Sequence, residues 1–145
     1  MSGPLSDVRV LDFTHAMAGP FGSMVLADLG AEVILVSRPN ERDDRERGLG
    51  PYLFGRSTYR FSLERGKKNI QIDLKHPDGL ELALKLAEKA DVITENFLPG
   101  TMERLGLGYE AVSKRNPRIV YASISGHGQT GPYAKRGAFD IVAQA

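Results

Sequence analysis

Residues 8–36 read VRVLDFTHAMAGPFGSMVLADLGAEVILV. The opening run, Val8 to Phe13, is β-branched and apolar, the composition of a short buried strand. A turn of small residues follows, His15-Ala16-Met17-Ala18-Gly19-Pro20. Pro20 suits the first turn of a helix, where its missing N–H goes unused. Phe21, Met24, Val25 and Leu29 then recur at helical spacing, and Gly30 is placed to stop the helix in the left-handed conformation. Glu32 to Val36 is a second apolar strand. Strand, helix and strand within about 30 residues make a βαβ unit.

Working outward, the alternation continues. Asn69 to Leu74 alternates apolar and polar side chains and predicts a third strand. Pro77 opens a helix to about Lys89, with Leu80, Leu84 and Ala87 on one face and Ala83 and Leu86 beside them. Asp91 to Thr94 is a fourth strand. Pro99 to Leu105 reads as a short helix ended by Gly106, and Tyr109 to Arg115 as another. Arg118 to Ile124 is a fifth strand, running into the glycine loop Ser125 to Pro132. Residues 39–60 break this rhythm. Asn40 to Gly50, charged and glycine-containing, predicts a long surface loop, and the mixed-sign run Arg42 to Arg47 a solvated face. Gly137 to Ala145 begins a helical pattern and stops without a cap, as expected of a piece of a longer chain. The fold class implied is α/β with a mainly parallel sheet flanked by helices.

Composition narrows the chemistry. The 145 residues include 19 basic and 18 acidic side chains, a net charge of +1, and give no electrostatic reason to expect a nucleic-acid partner. There is no cysteine, which excludes a disulfide framework, a thiolate nucleophile and a cysteine zinc site. No histidine pair has the i, i+4 spacing of a helical zinc site, so no metal is expected. No stretch approaches the roughly 20 apolar residues of a membrane span. The N-terminus lacks the basic and apolar regions of a signal peptide. A cytoplasmic protein with no membrane partner is the simplest expectation.

In open α/β sheets ligands bind beyond the carboxyl ends of the strands. The segments that matter are therefore His15 to Gly19, Ser37-Arg38, Leu74-Lys75, Asn96 to Arg104 and Gly126 to Arg136. A nicotinamide fingerprint is absent: the first turn lacks G-x-G-x-x-G spacing, and the second strand ends in Ser37-Arg38 rather than an acid. An arginine there suits a phosphorylated ribose, such as that of coenzyme A or NADP; the alternative is a surface arginine before a proline. Lys75 and Arg104 are either further phosphate contacts or solvated charges. Phe97 could stack on an adenine with Asn96 bonding its edges; alternatively Phe97 is core and Asn96 caps the next helix. His15 and His127 are general-base candidates or hydrogen-bonded turn residues. No G-x-S-x-G elbow and no Walker A ending occur. Arg38, Lys75, Asn96, Phe97 and Arg104 are expected to converge on one cleft.

Four stretches together resemble the class III coenzyme A transferase family (formyl-CoA transferase-like, CaiB/BaiF-like): residues 8–39, RGKKNIQIDLKHPDG (65–79), ADVITENFLPGTMERLGLGYE (90–110) and NPRIVYASISGHGQTGPYAKRGAFDIVAQA (116–145). The resemblance implies that residues 1–145 form the N-terminal part of a Rossmann-like large domain. The rest of that domain and a second, small domain would be absent, and two chains would interlock as a homodimer. It implies coenzyme A contacts at His15, Met17, Ala18, Arg38, Ile72, Asp73, Leu74, Lys75, Asn96, Phe97, Leu98, Arg104, Lys135, Arg136, Gly137, Ala138 and Phe139. It further implies CoA exchange between an acyl-CoA and a carboxylic acid through an aspartyl-CoA intermediate. The nucleophilic aspartate would lie beyond this chain, leaving no catalytic residue within it and the chain alone inactive. Asp140 is expected to support structure instead. Two other readings remain: a 2-methylacyl-CoA racemase-like isomerase, disfavoured because Phe139 stands where those enzymes carry a histidine, and a non-catalytic truncated CoA-binding fragment.

Overall fold

The structure, a computed structural model, describes residues 3–39 and 50–145. The expected loop over Asn40 to Gly50, with its charged run, lies outside the described residues except for Gly50. In chain order the elements are β1 (Arg9–Asp12), α1 (Ala18–Asp28), β2 (Glu32–Ser37), β3 (Tyr52–Leu53), β4 (Arg56–Ser57), α2 (Thr58–Leu63) and β5 (Lys68–Gln71). They continue with α3 (Pro77–Ala87), β6 (Val92–Glu95), α4 (Thr101–Arg104), α5 (Tyr109–Arg115), β7 (Val120–Ser123) and α6 (Asp140–Gln144).

One five-stranded sheet carries the order β5-β2-β1-β6-β7, and every pairing in it is parallel. The chain winds outward from β1 through β2 to β5, then crosses back to β6 and β7. The winding direction therefore reverses between β1 and β6, and a reversal of this kind opens a crevice at the carboxyl edge of the sheet.

The sheet is covered on both faces, which is why its central strands read as unbroken apolar runs. On one face Leu11, Phe13 and Ile93 pack with Ala83, Leu84 and Ala87 of α3 and with Met102, Leu107 and Val112. On the other, Val10 and Val33 pack with Ala31, Leu26 and Ala27. Successive residues of β1 thus feed opposite faces, as the pleat requires. α3 starts as its sequence implies: Pro77 occupies the first turn, and His76 Nδ1 accepts a hydrogen bond from the Asp78 N–H at 3.3 Å. Gly30 stops α1 with φ of 103°.

Two local features go beyond the sequence reading. Residues 51–60, given no element from sequence, hold an antiparallel hairpin in which Tyr52 pairs with Ser57 and Leu53 with Arg56, and α2 follows. Two-residue strands carry no readable period, and the hairpin turn uses Phe54 and Gly55 at φ of 51° and 77° rather than the usual Asn-Gly pair. The cap of α2 is Ser57, which accepts from the Arg60 N–H at 3.3 Å. Secondly, β5 ends at Gln71, short of Leu74. Residues 72–75 instead turn into α3, with Asp73 Oδ1 accepting from the Lys75 N–H at 2.9 Å.

At the amino edge, Glu32 on β2 takes hydrogen bonds from Arg9 of β1 at 2.6 Å and Lys68 of β5 at 2.5 Å. The Lys68 and Arg9 bonds hold the Glu32 carboxyl down at about 2. This ion network ties three strands at the end of the sheet away from the crevice.

Candidate functional site at the carboxyl edge of the sheet

β1 and β6 are neighbours, so the loops leaving them emerge side by side. Asn96, directly after β6, reaches the loop after β1: its Oδ1 accepts from the His15 N–H at 2.9 Å, and its Nδ2 donates to the His15 carbonyl at 2.7 Å. Two bonds to one residue's backbone extend the β1–β6 pairing past the strand ends. The His15 and Phe97 rings lie 5.0 Å apart, centroid to centroid. Asn96 is thus a latch between loops and not a helix cap; Gly100 stands at the cap of α4, which has no side-chain cap bond. Phe97 packs partly against the core and also faces the crevice.

The crevice is a cleft of about 480 Å³. Phe13, Leu35, Val36 and Leu63 give it an apolar floor. His15, Ser37 and Arg38 bring polar groups to its walls, while Lys67, also along it, keeps its ammonium buried. α2 closes one side. Its Tyr59 hydroxyl donates to the Ala16 carbonyl at 3.2 Å, and burial raises the Tyr59 pKa, so the hydroxyl stays a neutral donor. Ala16 sits at φ of 62°, a left-handed conformation that costs a residue with a Cβ and persists only where neighbours impose it. Arg60 and Glu64, also on the wall, form a two-bond ion pair at 2.7 and 3.0 Å.

Beneath the first turn lies a buried polar cluster. Asp12 is fully buried at the end of β1. Its Oδ1 accepts from the Thr14 N–H at 2.9 Å, the Thr14 hydroxyl at 2.6 Å and the Thr94 hydroxyl at 3.1 Å. Its Oδ2 accepts from the Ser23 hydroxyl at 2.5 Å and the Lys67 ammonium at 3.1 Å. Lys67 Nζ also donates to the Pro20 carbonyl at 3.0 Å and to Ser23 Oγ at 2.8 Å, and its side chain is 1% exposed. A buried ion pair is tolerated only when its remaining donors and acceptors are matched. Here they are: among the described residues no buried side-chain nitrogen or oxygen lacks a partner.

The residues singled out from sequence fall into three groups. His15, Arg38 and Phe97 line the cleft, and Asn96 fastens its rim. Met17 and Ala18, both exposed, stand at the start of α1 beside it. The others share the carboxyl edge without lining this cleft. Ile72 is buried, while Asp73, Leu74 and Lys75 form the turn after β5. Leu98 is exposed, and Arg104 is bonded to Thr101 Oγ1 at 2.9 Å. Past β7, Arg136 stacks on the Tyr133 ring at 4.5 Å beside exposed Lys135 and Gly137. Ala138 packs so tightly on Gly126 that a Cβ there would lie 1.9 Å away, and Phe139 is 82% exposed. His127 contacts the Tyr133 ring at 5.9 Å, away from the cleft.

Sequence reasoning missed Tyr59, Arg60, Glu64 and Lys67. Tyr59 and Arg60 belong to the stretch without period, Glu64 falls between that stretch and the next strand, and Lys67 hides in the run Arg65-Gly66-Lys67-Lys68, which looks like surface charge. Among the described residues, no group of three or more His, Cys, Asp or Glu side chains could hold a metal, and no helix is long and apolar enough to cross a membrane.

Comparison with known proteins agrees with this architecture. The family model described as CoA-transferase family III matches residues 5–145. The chain is 46% identical over 142 residues to a mouse succinyl-CoA:glutarate CoA-transferase, covering 98% of this chain and 33% of that protein. It is 46% identical over 143 residues to an acetyl-CoA:oxalate CoA-transferase of Acetobacter aceti, covering 99% and 36%. A solved CAIB/BAIF family structure from Brucella suis superposes with a TM-score of 0.90 at 38% identity, over 99% of this chain and 39% of that one. The chain thus spans about a third of the length of the curated relatives it matches. On its sequence, its sheet order and these likenesses, the chain belongs to CoA-transferase family III.

Proposed function

We propose that the cleft at the β1–β6 crossover binds coenzyme A, and that the whole protein moves CoA between an acyl-CoA and a carboxylic acid. The observation that carries this reading is the convergence of Arg38, His15 and Phe97 on one cleft at the point where the sheet reverses its winding. A guanidinium pairs with phosphate through two parallel N–H bonds, and the apolar floor suits the organic part of a nucleotide carrier. Lys75, Arg104 and the segment from Lys135 to Phe139 stand at the same edge and would extend the contacts to the rest of the carrier.

In the proposed reaction a carboxylate beyond residue 145 attacks the thioester carbonyl and expels CoA thiolate, leaving a mixed anhydride. The thiolate attacks that anhydride at the enzyme carbonyl, giving an aspartyl-CoA thioester and free donor acid. The acceptor carboxylate then repeats the sequence in reverse. Each step exchanges one acyl bond for another, so covalent catalysis divides a difficult exchange into easier ones. This chain's share is to hold the carrier; Asp140, exposed and bonded by the Gln144 side chain, opens α6.

Titration calorimetry with CoA tests the reading. The expected result is saturable binding by the protein and an affinity about tenfold weaker for Arg38→Ala, the order expected for a charge-assisted pair. No binding by the unaltered protein, or equal binding by the variant, would mean that Arg38 and its cleft do not hold CoA.

A further inference from the structure

The cleft's first turn is held from below by a group no ligand needs to touch. Residues 14–17 carry His15 and the left-handed Ala16, and such a conformation lasts only where neighbours over-determine it. Three fastenings are visible. Asn96 grips His15, and Tyr59 grips the Ala16 carbonyl. The third is Lys67, whose ammonium bonds Asp12 at the end of β1 and both Pro20 and Ser23 in α1. The turn is therefore bracketed, with the end of β1 before it and the helix after it bound to one nitrogen. The bracket is tight: a Cβ on Gly19 would lie 2.4 Å from Thr14 Cβ, so the helix start has no room to slide toward the turn.

We propose that Lys67 is a positioning residue for the ligand cleft. Paired with Asp12 and Ser23, it sets the geometry of turn 14–17 and thereby the placement of His15. The ammonium spends its three protons on Asp12, Pro20 and Ser23. Its charge is matched by a fully buried carboxylate, so it acts through the turn rather than on a phosphate. The inference rests on the reading of the cleft as a CoA site only for its ligand arm.

The test compares Lys67→Met, Ser23→Ala and the core control Ile93→Val by two measurements: amide hydrogen exchange at His15, and CoA affinity by calorimetry. The His15 N–H bonds Asn96 and not the cluster, so its exchange reports the turn and not a lost direct bond. The expected result is His15 exchange faster by about tenfold in Lys67→Met and about threefold in Ser23→Ala, with CoA binding weakened in the same order. Ile93→Val, a loss of one methyl from a fully buried strand position, should change neither beyond its global effect. Should Lys67→Met fail to fold, Ser23→Ala decides alone. Unchanged His15 exchange in the cluster variants, or equal changes in Ile93→Val at matched melting temperature, would overturn the proposal. If the unaltered protein binds no CoA, the ligand reading fails by itself, while the exchange arm still decides the role of Lys67.

Discussion

Asn96 shows how a single side chain can carry both architecture and site. Its amide satisfies the N–H and the carbonyl of His15, two groups that the end of β1 would otherwise leave to solvent. Asn96→Ala removes both bonds and is expected to destabilise the fold by about 1–3 kcal/mol, read as a lower urea midpoint at unchanged slope. Asn96→Asp keeps the acceptor but sets a carboxylate oxygen against the His15 carbonyl in place of the donor, so a loss at least as large is expected near neutral pH. Equal stability of all three proteins would deny the latch. From sequence, Asn96 is visible as a strand-end residue with two open readings, ligand contact or helix cap. Neither names His15, because a pairing over 81 positions leaves no local trace. Lys67 shows the same limit: in a run of four residues with three cations nothing marks the one that folds inward.

At the scale of elements the sheet and the helices behind it were legible, because continuous apolar runs and a 3.6-residue stripe are what burial on two faces demands. Tyr109–Arg115 is helical over the residues expected. The β3–β4 hairpin was not legible, since its strands are too short to show alternation and its turn residues are atypical. Two predictions belong here. In α3, a Cβ on Gly79 would stand 2.0 Å from the Asp73 carbonyl oxygen. Gly79→Ala must push the helix off the turn at residues 72–75, and a loss of about 1–3 kcal/mol is expected by denaturant unfolding. The second concerns the Glu32 network. Its folded pKa of about 2 lies below the ordinary glutamate value of 4.5. A depressed carboxyl stabilises the fold above its unfolded pKa and loses that contribution as pH falls toward the folded one. The difference in melting temperature between the unaltered protein and Glu32→Gln should therefore be full near neutral pH, shrink below about pH 4.5 and vanish near pH 2. A difference independent of pH would mean that charge plays no part.

For the whole molecule, the α/β class follows from the alternation of strands and helices, but the strand order does not. Only the structure places β6 beside β1 and so creates the crossover on which the site depends. That topology brings His15, Arg38 and Phe97 to one cleft and leaves Lys75 and Arg104 elsewhere on the same edge. Large apolar side chains remain on the surface, with Phe54 95%, Phe139 82% and Ile141 74% exposed. Exposed apolar surface drives association, so the 145-residue chain by itself should self-associate or precipitate as concentration rises in sedimentation velocity, and a monodisperse monomer would contradict this. If the cleft at the carboxyl edge holds coenzyme A, titrating nitrogen-labelled protein with CoA should shift backbone amides chiefly at Thr14 to Ala16, Ser37-Arg38, Tyr59 to Lys67 and Asn96-Phe97. Arg9, Glu32 and Lys68 at the opposite edge should stay unmoved. Shifts centred on that amino edge, or none at saturating CoA, would contradict it.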